Sequence, residues 1–354
     1  VRELGDGFLI VGVLGVTLQV KSREIPSGDL EKERRWLTKK IAAALKQGQG
    51  TIRRMRRAPV ELVNMRDRAV TVHGRDLRWL NVVVIDHPEI PNDLTPELHT
   101  SDPAVVLLRR DWEFLFDQLK STHAVASYLE RVAGEPHDLG RETARYYELA
   151  LADADAEPEA LDPALIGHGT PVSVPLLPLE PAATSDRRQH VMVRALLEDI
   201  AETRLRTIEE GDRVRVLAEL DSLPVGQRAG VGTFMLASMA EAHKSQSGVL
   251  WKLRSLRSGS GRTHLGFGVC SHPHSEEIQT AFGYWVQLRH YDLQEATSNN
   301  ELTTVGVLLT PRTDGRRPWD TTMAAVSGRV EFEAEELQAV RAVWPMPGAT
   351  TEAA

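Results

Sequence analysis

A chain of 354 residues with 42% hydrophobic and 26% charged content is long enough for two ordinary domains, and it is neither a disordered tract nor a fibre. A single cysteine, Cys270, excludes an internal disulfide framework, and no apolar run approaches a membrane span, so a cytoplasmic protein without a membrane partner is expected. The net charge of −8 conceals an asymmetry: residues 1–57 carry +7 and the remainder −15, so any contact with a polyanion has to be local.

The first elements lie in "GDGFLIVGVLGVTLQVKSRE" (Gly5 to Glu24), which predicts strands over 8–14 and 16–22 with Gly15 near the turn. In the second strand Val16, Leu18 and Val20 point one way, while Thr17, Gln19 and Lys21 point the other. "EIPSGD" supplies turn residues, and Asp29 is the expected N-cap of a helix beginning at Leu30. Trp36, Leu37, Ile41, Ala44 and Leu45 recur at helical spacing on that helix. Gly48 and Gly50 weaken its far end before Ile52 and Met55 resume the pattern. From Lys32 to Arg57 there are ten basic residues and one acid, Glu33. Such a stripe reads either as a phosphate-binding surface or as a solvated helix face.

Further along, "AVTVHGRDLRWLNVVVIDHPEI" predicts two strands around a turn, the second apolar enough to be central, and another strand is expected from Ala104 to Leu108. One or two amphipathic helices follow from Asp111, and "GRETARYYELALADAD" is helical. Strands clustered with helices on their flanks indicate an α/β domain with a mixed sheet over residues 1–155. Residues 156–188 are proline-rich and read as a linker. A second α/β (α+β) domain is expected over 189–345, with a tail over 346–354. It comprises helices around 190–210 and 227–246, a hairpin turning at Ser258 to Gly261, a helix capped by Ser275, and the strand "LTTVGVLLTPR".

The N-terminal stretch with its basic helix resembles the core of the restriction-endonuclease-like, or PD-(D/E)xK, nucleases. That superfamily places an acid on one strand and a (Glu/Asp/Gln)-x-Lys signature on the next, and a helix bearing Gln or Lys commonly follows. Asp6 matches the first position, Gln19 and Lys21 the second, and Lys39, Lys40, Gln47 and Gln49 stand on the helix. The family often has a preceding helix with a further acid; Glu3, or sequence upstream of Val1, would have to supply it. The resemblance implies Mg²⁺ (or Mn²⁺) held by Asp6 and Gln19, with Lys21 serving the attacking water and Lys39, Lys40, Gln49, Arg53 and Arg54 meeting the phosphates of a nucleic acid, DNA rather than RNA. The reaction would be phosphodiester hydrolysis, in defence or DNA maintenance. The alternative is a nuclease-fold module that binds nucleic acid or a protein without cutting.

Two other clusters carry chemistry. His264, Cys270, His272 and His274 offer zinc-type ligands or ordinary strand-end packing. Arg289, His290, Asp292, Arg312, Arg316, Arg317 and Asp320 read as a cleft or as a surface loop.

Overall fold

Residues 6–155, 180–203, 209–245, 248–258, 263–297, 302–312 and 318–344 are described by a computed structural model. The chain divides into two units, one over Val1–Thr184 and Leu205–Gly226, the other over Ser185–Arg204 and Gln227–Ala354. Most of the proline-rich segment, the tail, Glu3, Arg316 and Arg317 fall outside the described residues.

Unit 1 begins with an antiparallel hairpin, β1 (Gly7–Val11) and β2 (Leu14–Ser22). Its turn is at Gly12–Val13, where Gly12 takes a left-handed φ of 57°, rather than at Gly15. Gly15 lies within β2, where a Cβ would stand 2.9 Å from the Trp79 ring. Helix α1 (Leu30–Arg57) follows, then a separate ribbon of β3 (Val60–Val63) and β4 (Ala69–Val72). After it come β5 (Arg78–Asp86), β6 (Ala104–Leu108), and the helices α2 (Arg109–Leu119), α3 (Thr122–Val132) and α4 (Glu142–Asp155).

The main sheet runs β1-β2-β5-β6; β1 is antiparallel to β2, and β2, β5 and β6 are mutually parallel. The expected pairing of 69–72 with 78–86 does not form. "RWLNVVVID" is apolar on both faces and is buried with a parallel neighbour on each side, whereas "AVTV" alternates and suits a half-covered ribbon. One sheet face packs Val16, Leu80, Val82, Val84 and Leu107 against Leu115, Leu119, Val125, Tyr128 and Tyr146 of α2, α3 and α4. The other packs Val83 and Ile85 against Leu37, Ile41, Ala44 and Leu45 of α1. The α/β sheet with helices on both faces is thus present.

In unit 2, α5 (Arg187–Glu202), most of α7 (Val225–Lys244), α8 (Glu276–Thr297) and α9 (Ala334–Val343) accompany a sheet of order β10-β9-β8-β7. Its strands are β7 (Trp251–Arg257), β8 (Thr263–Cys270), β9 (Thr303–Pro311) and β10 (Trp319–Ser327). The β7–β8 and β9–β10 pairs are antiparallel, and β8 and β9 are parallel. Gly266 and Gly306 admit Trp285 and Val286 of α8 so closely that a Cβ would fall within 2.5 Å of them. Between α5 and α7 in the chain, α6 (Glu210–Asp221) belongs to unit 1, where the Ser121 hydroxyl donates to Asp221 O (2.6 Å). Neither α6 nor β3, β10 and α9 is predicted by the sequence patterns.

Candidate nucleic-acid interface

Helix α1 starts where its cap dictates. The Asp29 carboxylate accepts from the backbone N–H groups of Glu31 (3.0 Å) and Lys32 (3.2 Å), a cap that satisfies two donors of the first turn. The hydrogen bond from Lys32 N–H, foremost, holds that carboxyl below its ordinary pKa. Glu31 and Glu33 occupy the first turn and Arg54, Arg56 and Arg57 the last, the arrangement the helix dipole favours. At the far end the Arg75 guanidinium donates to the carbonyls of Arg56 (2.8 Å) and Arg57 (3.3 Å), which have no helical partner. Midway, Gly48 lies against the sheet over Asn81, whose amide donates to Leu45 O (3.0 Å) and accepts from the Thr17 hydroxyl (3.1 Å).

Burial of Leu37, Ile41, Ala44, Leu45, Gly48, Ile52 and Met55 turns the opposite side of α1 to solvent. Lys32, Arg35, Lys39, Lys46, Arg53 and Arg57 fall along that outer side and are exposed, with Lys40 and Arg54 at its margin and Gln49 half-buried on the flank. At 1.5 Å per residue the row is roughly 37 Å long. No acid interrupts α1 after Glu33. Some of the helix's cations are engaged within the protein: Lys32 pairs with Asp29 (3.5 Å) and Arg56 with Asp102 (2.8 Å), while Arg34 donates to Asn92 O (2.9 Å) and Arg35 to Glu31 O (3.3 Å). Lys39, Lys46 and Arg53 make no ion pair among the described residues. The outer face therefore carries spaced cations along its length and no acid after Glu33.

The hairpin cluster is arranged differently from a metal centre. Continuing the β1–β2 register by one residue sets Asp6 opposite Gln19, and Gln19 and Lys21 share the α1 side of β2. Asp6 accepts from Val20 N–H (2.7 Å) and lies 3.4 Å from Lys21 Nζ, which is 3.5 Å from Gln47 Oε1 on α1. Asp6 thus continues the edge of β2 beyond β1, and Lys21 ties that edge to the helix. Gln19 is fully buried, and neither its amide oxygen nor its nitrogen has a hydrogen-bond partner among the described residues.

The donors fail the test for Mg²⁺ or Mn²⁺. Such hard cations are held by several oxygens, anionic ones foremost. Here the one carboxylate is engaged by an ammonium group and a backbone N–H, and the second donor is a neutral, buried amide. Among the described residues no three His, Cys, Asp or Glu side chains gather at any point to hold a metal. The sequence places Asp6, Gln19 and Lys21 together correctly. Gln19, expected as a ligand, lies buried beneath the β2–α1–β5 crossover.

Sequence reasoning missed a buried ionic cluster at the start of α1. The Glu33 carboxylate, 1% exposed, accepts from Ser27 N–H (2.7 Å), meets His87 Nε2 at 2.7 Å and pairs with Arg23 at 3.0 Å. The Ser27 hydroxyl bond, first among these contacts, pulls its pKa down to about 2. Glu89 N–H donates to His87 Nδ1, which leaves Nε2 as the ring's donor to Glu33. The ring also lies 5.5 Å from Trp36, over which the Arg23 guanidinium sits at 5.4 Å. A single acid within the basic run from Lys32 to Arg57 was the available signal. A second buried group joins Glu142 to the Tyr128 hydroxyl and, at 3.9 Å, to Arg145; burial pushes the Tyr128 phenol upward.

In unit 2 the histidines are dispersed. His290 is buried between Thr304 Oγ1 (3.0 Å) and Gly328 O (2.6 Å), the bonding of a packing residue. Burial, reinforced by Arg257 and Arg289, pushes His264 down to about 4, and burial raises the Cys270 thiol. His272 N–H lies 3.4 Å from Cys270 Sγ, and His274 Nδ1 is 3.4 Å from Thr322 Oγ1. Arg289 and Arg341 both face Asp292, at 3.9 and 3.1 Å, and Arg312 faces Asp320 at 3.4 Å. Compared with family models, curated proteins and solved structures, this chain matches none.

Proposed function

We propose that unit 1 is a nucleic-acid-binding module of nuclease-like architecture that holds DNA along the outer face of α1 and does not cut it. The observation that carries this reading is the row of exposed cations from Lys39 to Arg57, with no acid among them, on a helix whose other side is fastened to the sheet. Phosphates neutralised by such a row release condensed counterions, a driving force needing no base contact. The likeness to the nucleases is supported by the antiparallel β1–β2 hairpin, the placement of Asp6 opposite Gln19, and the helix that follows them. It is this likeness that favours DNA over RNA. Against cleavage stand the engaged Asp6 carboxylate and the covered Gln19 amide.

The test is fluorescence anisotropy of a labelled duplex titrated with the protein at several salt concentrations. The logarithm of affinity is expected to fall linearly with the logarithm of salt. Lys39→Ala and Arg53→Ala should each reduce the slope by about 0.9 if each cation meets one phosphate. Affinity indifferent to salt would refute the binding. Incubation of labelled DNA with Mg²⁺ or Mn²⁺ should leave it intact. Cleavage that disappears in Asp6→Ala and Lys21→Ala would overturn the non-catalytic reading and restore a hydrolase.

A further inference from the structure

Three basic side chains of unit 2 are brought together where β7 ends and β8 and β9 begin. Arg257, the last residue of β7, is the cross-strand partner of His264, and His264 in turn stands beside Thr304 of β9. Strand alternation puts all three on the face that carries Gly266 and Gly306, the face packed by α8. Arg289 of α8 acts electrostatically on the His264 ring together with Arg257. His290, its neighbour on the helix, is already engaged through both ring nitrogens, with Thr304 Oγ1 and Gly328 O.

The charges here are not balanced. Arg257 is exposed and makes no hydrogen bond or ion pair among the described residues. Arg289 faces Asp292 at 3.9 Å, and that carboxylate lies closer to Arg341, at 3.1 Å. His264 Nδ1 is buried and has no hydrogen-bond partner among the described residues. Burial first, then the two guanidinium groups, hold the ring down to about 4, so it is neutral and has one N–H to donate. Two guanidinium groups and an imidazole donor that share a positive field form a place for an anion. A carboxylate offers two oxygens, whereas the phosphate of a monoester offers three, one for each donor arriving from β7, β8 and α8. We propose that Arg257, His264 and Arg289 bind a phosphate dianion, free or as a monoester, at this end of the unit 2 sheet. The bound anion favours the protonated ring, so it raises the affinity of His264 for its second proton. The site belongs to unit 2 and does not rest on the reading of α1.

The experiment titrates the full chain, labelled with nitrogen-15 in its histidines, with inorganic phosphate and separately with glycerol 3-phosphate. The imidazole nitrogens are followed by NMR, and His264→Gln identifies their signal. Phosphate should shift the His264 nitrogens saturably and move the ring's titration midpoint upward from about 4, and sodium chloride at equal ionic strength should do neither. Arg257→Ala, at an exposed position, should keep the wild-type melting curve and weaken phosphate binding about tenfold, the loss of one charge-assisted hydrogen bond. Tighter binding of the ester identifies a phosphorylated small molecule as the ligand and tighter binding of inorganic phosphate the free ion; either supports the site. His264 signals that stay still as phosphate is raised to about 50 mM, or that move equally with chloride, would overturn it. So would an Arg257→Ala protein that binds phosphate as wild type does. No nucleic acid is present, so failure here leaves the α1 reading standing.

Discussion

Gly48→Ala isolates what sets the distance between α1 and the sheet. On an open helix surface this substitution stabilises by about 1 kcal/mol, through helix propensity alone. At Gly48 the new Cβ would stand 2.0 Å from Asn81 Oδ1, so the amide must move. Asn81 then loses its bonds to Thr17 and Leu45 in a wholly buried place. Two buried polar groups without partners cost about 2–6 kcal/mol. Subtracting the propensity gain leaves a net destabilisation of about 1–5 kcal/mol. Urea unfolding followed by tryptophan fluorescence measures it, with Gly50→Ala as internal control. Gly50 is on the same helix but has open space at its Cβ position, so alanine there should stabilise by about 0.5–1 kcal/mol. In an Asn81→Ala background the Gly48→Ala penalty should shrink, because the atom it strikes is gone. A Gly48→Ala protein as stable as the Gly50→Ala protein would refute the close-approach argument.

Two further outcomes follow from buried groups. Gln19→Met removes an amide that has no partner and keeps the side chain's length, so it should raise the urea midpoint by about 1 kcal/mol in stability and leave DNA binding unchanged; a lower midpoint would refute the claim that the amide is unsatisfied. Glu33 has its pKa depressed to about 2 in the folded protein, so its contribution is fully present above the ordinary 4.5 and is lost as pH falls from there through 2. Stability measured from pH 6 down to 2 should therefore drop less steeply in Glu33→Gln, and equal slopes would refute the assignment.

Elements whose signal is local were legible in the sequence. Asp29 marks the start of α1 because an N-cap acts on the next two or three residues, and "LNVVVID" declares a central strand by being apolar on both faces. The ribbon partner of β4 was not, because "VELV" is too short to carry a pattern, and neither was α6, whose burial depends on a return to unit 1. At the candidate site, a period of two put Gln19 and Lys21 on one side of β2. That the same side would lie beneath a helix is a property of the crossover, which residue spacing does not encode. The cation row was visible as composition; its isolation on a single outer face depended on which residues Gly48 and its neighbours bury.

Helix α1 is clamped at three points along its length: by Glu33 to Arg23 and His87 at the start, by Gly48 over Asn81 in the middle, and by Arg75 on its last carbonyls. These three ties fasten the helix backbone to the rest of unit 1 at its start, middle and end. The backbone positions that carry its charges have a regular helical spacing set before any partner arrives, so little ordering of the protein backbone remains to oppose association. Adjustment then falls to the partner, and a polyanion whose own charges repeat regularly and stiffly will fit this spacing along its whole length or at scattered points only.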